Sequence, residues 1–144
     1  ALWLQDWSGS ITDSFGKRVL WNWELDRELY PGWEALLDDL RTHDHDARIM
    51  TYVNPYLTNL LPPNTTRRNL FAEALSLGYL VKNQTGQPYI QHCGASTFTF
   101  GTVDLANPEA MEWYTTEVLM KNMMIGSNAS GWMADFGEYV PFDA

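Results

Sequence analysis

At 144 residues with 45% hydrophobic positions, the chain is long enough for one domain with a true core and too short to argue for two. Nine Lys and Arg against eighteen Asp and Glu leave a net charge of −9, which repels phosphate backbones and offers no basic stripe for nucleic acid. No run approaches the roughly 18 apolar residues of a membrane span, and a single cysteine, Cys93, excludes an internal disulfide framework or a thiolate zinc cluster.

The chain opens in an apolar stretch, Ala1-Leu-Trp-Leu4, that reads as a buried strand with no leader before it, an opening that a native N-terminus seldom shows. Trp7 to Tyr30 reads as a long connection rich in Ser, Gly, Trp and charge, and loops of that length inside compact domains are usually functional. Pro31 then opens a helix with Trp33, Leu36, Leu37 and Leu40 at helical spacing. Arg48 to Val53 is the next strand, closed by Asn54-Pro55, and Leu60 to Asn64 is a second irregular loop. Asn69 to Leu77 suits a short helix stopped by Gly78, and Tyr79 to Val81 with Tyr89 to Gln91 reads as a hairpin around Thr85-Gly86. Asn107-Pro108 supplies a cap and a first-turn proline for a long helix. That helix carries Met111, Tyr114 and Val118 on one face and ends near Gly126, and Gly131 to Asp135 follows as a third strand.

This alternation is that of a parallel α/β architecture of about three strand–loop–helix units, which a doubly wound sheet and a (β/α)8 barrel both satisfy. The strand ends favour the barrel. They terminate in Gln5-Asp6-Trp7, Asn54-Pro55-Tyr56 and Asp135-Phe136-Gly137-Glu138, polar and aromatic clusters suited to a catalytic C-terminal face. Three strands cannot close a barrel, so residues 1–144 are expected to form part of one catalytic barrel domain.

Aromatic residues make up 14% of the chain, seven Trp among them. Flat rings stack on the C–H faces of sugars, and they also fill cores, so the surplus fits either a carbohydrate site or a Trp-rich interior. In Gly131-Trp-Met-Ala-Asp-Phe-Gly-Glu-Tyr139 an apolar strand delivers two carboxylates, Asp135 and Glu138, at its end. Retaining glycoside hydrolysis needs an ionised carboxylate to attack the anomeric carbon and a protonated carboxyl about 5 to 5.5 Å away to protonate the leaving oxygen. A turn-capping Asp135 with a solvated Glu138 is the plainer alternative. Asp135-Phe-Gly also matches the magnesium-binding turn of protein kinases. No Gly-rich loop, strand Lys or His-Arg-Asp segment precedes it, and that reading fails.

The Gly131–Tyr139 segment resembles the catalytic strand of family 31 glycoside hydrolases, and the resemblance places the nucleophile at Asp135. The match continues in Trp3-Leu-Gln-Asp-Trp-Ser-Gly9 and in Phe15-Gly-Lys-Arg-Val-Leu-Trp-Asn-Trp23. Ordinary family 31 α-glucosidases carry Trp-x-Asp-Ile-Asp on the first of these strands. Gln5-Asp6-Trp7, with Arg18 thirteen residues after Gln5 and Trp21 three further on, instead resembles the sulfoquinovosidases. Their Gln, Arg and Trp at this spacing hold the sulfonate of the sugar. A sulfonate is a permanent anion with three acceptor oxygens. Guanidinium, amide and indole N–H groups can surround it with no proton to lose.

Without the resemblance, Arg18 reads as a surface partner of Asp13 or Glu24. The resemblance implies a retaining α-glycosidase of α-sulfoquinovosides, with an α-glucosidase or a non-catalytic sugar-binding barrel as alternatives. It implies a carbohydrate partner and no cofactor, since two carboxylates suffice. The acid/base Asp is expected on a later strand, so residues 1–144 alone are expected to be inactive. Asp104 and Asn107 are expected to cap helices, and His92, His43 and His45 to bind no metal. Sequons at Asn64, Asn83 and Asn128 would accept glycans on a eukaryotic secretory route and leave the compartment open.

Overall fold

The computed structural model describes residues 1–14, 16–43, 47–59, 66–93 and 98–144. Phe15, His45 and the expected loop Leu60 to Asn64, with its sequon, lie outside them. Strand β1 (Leu2–Trp3), strand β4 (Ile49–Val53) and strand β8 (Gly131–Ala134) form one parallel sheet in the order β1-β4-β8. The registers pair Leu2 with Ile49 and run from Met50 opposite Gly131 to Val53 opposite Ala134. Helix α1 (Trp33–His43) crosses from β1 to β4. Helix α2 (Leu70–Leu77) and helix α3 (Pro108–Trp113) lie between β4 and β8. This is the parallel strand–helix alternation read from the sequence. It amounts to two complete crossovers and a third strand.

Burial follows position in the sheet. β4 is flanked on both edges and buries Ile49, Thr51, Tyr52 and Val53. β1 pairs on one edge only, and Leu2 and Trp3 remain 38% and 46% exposed, so the strand expected at Ala1–Leu4 forms without being buried.

The loop Trp7 to Tyr30 contains an antiparallel hairpin that its polar composition conceals, β2 (Ser10–Asp13) with β3 (Gly16–Val19). A second antiparallel sheet, β5 (Tyr56–Thr58), β6 (Ile90–His92) and β7 (Thr99–Thr102), has the order β5-β7-β6. The expected hairpin at 79–91 leads into it, with Lys82 bridging Pro88 and the Tyr89 N–H donating to Val81 O at 2.8 Å.

The caps behave as read. Asn69 accepts from the Ala72 N–H at 2.9 Å, and Gly78 at φ 75° closes α2. Asn107 accepts from the Glu109 N–H and caps α3, whereas Asp104, expected to cap a helix, accepts from the Ala106 N–H in the turn ahead of it.

Beyond α3 the chain continues as a π-helix, Tyr114–Gly126. The change of pitch breaks the expected helical face: Tyr114 and Val118 are buried, but Met111 is 52% exposed, and Ala110 and Trp113 face inward in its place.

Trp7, Trp23 and Trp33 are buried in the core, and each indole N–H is paired to a backbone carbonyl, of Tyr52 at 2.8 Å, Tyr56 at 2.9 Å and Ser127 at 2.8 Å. Much of the aromatic surplus is therefore structural, and truncating any one of them would cost about 3–5 kcal/mol.

Arg67 pins the Trp7–Tyr30 loop from beneath. It donates to Ser8 O at 2.9 Å and Glu24 O at 2.5 Å, and pairs with Asp26 at 3.3 Å. Gly9 sits against that pair at φ +95°, where a Cβ would collide with the Asp26 carboxylate. Gly9→Ala is therefore expected to destabilise by about 2 kcal/mol or more, from left-handed strain plus overpacking. A chemical-denaturation midpoint on the full-length protein checks this, and an unchanged midpoint would mean that the loop yields there.

Candidate active site

The C-terminal ends of the parallel strands meet the two antiparallel sheets at a cleft of about 610 Å3. Gln5 enters it from the turn after β1, Lys17 and Arg18 from β3, Trp21 from the segment beyond, Tyr52 from β4 and Tyr56 from β5. Phe98, Phe100, Phe136 and Tyr139 complete the apolar wall. All three residues read as a sulfonate pocket, Gln5, Arg18 and Trp21, thus line one cavity.

Each is held by its surroundings. Asp6, the neighbour of Gln5, turns away and accepts from Tyr30 at 2.5 Å and Lys17 at 2.9 Å. Burial would raise the Asp6 carboxyl, but these two hydrogen bonds outweigh it and hold the group below its ordinary value. This clamp fixes the turn from which Gln5 projects.

Arg18 donates from Nε to Asp13 at 2.6 Å and from Nη1 to Cys93 Sγ at 3.0 Å, so the guanidinium plane is set from two sides. The Asp13 hydrogen bond, the largest cause, raises Arg18 above its ordinary value. The pairing with Asp13 that composition alone suggested is present, and it does not remove Arg18 from the cleft. Trp21 packs with ring centroids 5.2 Å from Tyr56, 5.1 Å from Phe98 and 5.0 Å from Phe100, the last two edge-on.

Asp135 follows β8 directly, and its N–H donates to Val53 O at 3.1 Å, the last bond of that ladder. Its side chain lines an adjoining cleft of about 470 Å3 with Asn54, Phe136 and Glu138. Phe136, at φ +56°, lines both clefts and forms the wall between them. Tyr52 spans the same boundary, since it lines the larger cleft and its hydroxyl donates to Asp135 Oδ2 at 3.3 Å. Asp135 is therefore adjacent to the Gln5–Arg18–Trp21 cavity, not inside it.

Sequence reasoning missed Tyr52 and Cys93, and gave Asp13 only as a competing partner for Arg18. Tyr52 carried one usable signal, a polar tip on a buried strand two residues before the Asn54-Pro55 strand end. Cys93 carried none, because its partner Arg18 is 75 residues away.

The sequence profile described as "Glycosyl hydrolases family 31 TIM-barrel domain" matches residues 3–143. The chain belongs to glycoside hydrolase family 31. Within that family it is 42% identical over 142 residues to a sulfoquinovosidase of Escherichia coli, and 39% identical over 142 residues to one of Agrobacterium fabrum. Each alignment takes in 99% of this chain and only 19% and 20% of the relative, so this family 31 chain spans about a fifth of their length.

A solved family 31 sulfoquinovosidase from E. rectale, in complex with the aza-sugar inhibitor IFGSQ, superposes with a TM-score of 0.79 at 37% identity, over 98% of this chain and 19% of that one. The Flavobacterium johnsoniae family 31 dextranase, at 22% identity and a TM-score of 0.65 over 87% of this chain and 14% of its own, shares the fold. The partial (β/α)8 barrel read from the strand ends is thus the architecture of the family. Among the described residues no helix is long and apolar enough to cross a membrane.

Proposed function

We propose that the full-length protein is a retaining α-glycosidase of α-sulfoquinovosides, and that residues 1–144 are part of its catalytic barrel domain. Asp135 is the nucleophile, and Gln5, Arg18 and Trp21 hold the sulfonate. The observation that carries this reading is the convergence of Gln5, Arg18 and Trp21 on one cleft beside Asp135, in a chain about 40% identical to sulfoquinovosidases.

In the first step the Asp135 carboxylate attacks the anomeric carbon as the glycosidic C–O bond breaks, and a second carboxyl, from outside residues 1–144, gives its proton to the departing oxygen. In the second step that carboxylate takes a proton from water. The water oxygen attacks the anomeric carbon, and Asp135 is released as a carboxylate. No cofactor enters. Residues 1–144 carry a net charge of −9, so they offer an anionic sugar no long-range attraction of their own. Recognition of the sulfonate must come from donors in contact with it, a demand that Arg18, Gln5 and the Trp21 indole meet.

The test is hydrolysis by the full-length protein of two aryl α-glycosides that differ only in a sulfonate or a hydroxyl on sugar carbon six. The sulfonated substrate is expected to have a kcat/KM higher by more than about tenfold. A preference for the glucoside would remove the sulfonate assignment and leave a family 31 glycosidase for another sugar.

A further inference from the structure

We infer that Tyr52 is a positioning residue for Asp135: its phenol O–H is committed to Oδ2 of that carboxylate and so selects Oδ1 as the attacking oxygen. The inference rests on Asp135 being the nucleophile, as proposed above, and goes beyond it by naming what aims the carboxylate.

The argument is one of proton direction. The Tyr56 N–H donates to Asn54 Oδ1 at 2.9 Å, which fixes the Asn54 amide with its nitrogen toward Tyr52. Asn54 is held further by the Tyr114 hydroxyl, which donates to its backbone carbonyl at 2.7 Å. Asn54 Nδ2 then lies 3.3 Å from the Tyr52 hydroxyl. An amide nitrogen only donates, so the Tyr52 oxygen must accept there, and its single proton is left for the other neighbour. That neighbour is Asp135 Oδ2, at 3.3 Å. Every link points the same way: Tyr56 N–H to Asn54, Asn54 to Tyr52, Tyr52 to Asp135.

The scaffold makes the relay rigid. Tyr52 is buried, lies opposite Met133 in the β4–β8 register, and packs its ring 5.9 Å from that of Trp23. The Asp135 N–H to Val53 O bond sets the backbone of the carboxylate one step beyond. Both 3.3 Å contacts are at the long end for such bonds, a spacing that catalytic hydrogen bonds in unliganded sites commonly show and that tightens with substrate. Burial, foremost, and then the charge of Asp135 push the Tyr52 phenol up to about 12 against the opposing Asn54 bond, so it keeps its proton at neutral pH.

A donor on Oδ2 stabilises the carboxylate as the leaving group when the glycosyl ester is hydrolysed. The experiment compares Tyr52→Phe with wild type in the full-length protein. It measures kcat and KM on the preferred aryl glycoside, and labelling by a fluorinated glycoside that traps the covalent intermediate.

The expected result has two parts. kcat falls about 10- to 100-fold while KM changes little. The label is found on Asp135.

A label on Asp135 with a wild-type kcat would overturn the positioning role alone. A label on another residue would overturn the nucleophile assignment and this inference with it. Should Tyr52→Phe fail to fold, Asn54→Asp serves instead. It offers the Tyr52 proton a competing acceptor, so the same fall in kcat with little change in KM is expected, and its absence would count against the relay.

Discussion

Asp135→Asn in the full-length protein is expected to lower kcat by at least about 1000-fold, roughly 4 kcal/mol of transition-state stabilisation, while leaving KM and the unfolding midpoint nearly unchanged. The amide is close to isosteric, and its oxygen can still accept from the Tyr52 hydroxyl that lies 3.3 Å from Oδ2 in the native chain. The residue's backbone bond to the sheet, from its N–H to Val53 O, also survives the change. The side chain is exposed, so no buried group is left without a partner, and a stability change within about 0.5 kcal/mol is expected. What would disappear is the proposed nucleophile, because a neutral amide oxygen does not form the glycosyl ester. Steady-state kinetics with a denaturation curve on the same preparation separate the two effects. Activity within about tenfold of wild type would mean that Asp135 is a turn residue and that the attacking group lies elsewhere.

The parallel frame was legible because its signals are local. A buried run such as Ile49–Val53 reads as a strand whatever surrounds it, and Asn69, Gly78 and Asn107-Pro108 mark helix ends through hydrogen bonds made within a turn or so. The antiparallel sheets were less legible for the converse reason. β5 and β7 are three and four residues long, pair Leu57 with Gly101 across an interval of 44 positions, and include a glycine against which Leu80 and Phe71 pack. Nothing local announces such a pair. The hairpin β2–β3 turns at Asp13 and Gly16 and brings Asp13 within bonding distance of Arg18 across the two strands. A reading by spacing found that pairing but set it against a role in the cleft, where the hairpin supplies both. The switch from α3 to the π-helix is a change of pitch that helical periodicity cannot register, and Met111 was misplaced by it.

Arg18→Met is expected to cut kcat/KM for the sulfonated glycoside about 10- to 100-fold more than for the uncharged glucoside, the range for losing charge-assisted hydrogen bonds to an anion. Selectivity is the informative readout, because removing the guanidinium also takes from Asp13 an ion-pair partner 2.6 Å away, and the Asp13 side chain is only 9% exposed. Losing that pair would loosen the β2–β3 hairpin and lower activity on both substrates. The double variant Asp13→Asn with Arg18→Met removes the half-buried charge as well. If Arg18 binds the sulfonate, the double variant recovers stability but not selectivity; if Arg18 only anchors the hairpin, selectivity stays at the wild-type value in both variants and the double variant regains activity on both substrates. Arg18→Lys sharpens the comparison. Lysine keeps the charge but not the planar fork, and cannot both pair with Asp13 and reach Cys93 Sγ as Arg18 does at 3.0 Å. Its selectivity is expected between wild type and Arg18→Met, and equal to wild type only if charge alone, without the orientation that Asp13 and Cys93 impose, recognises the sulfonate.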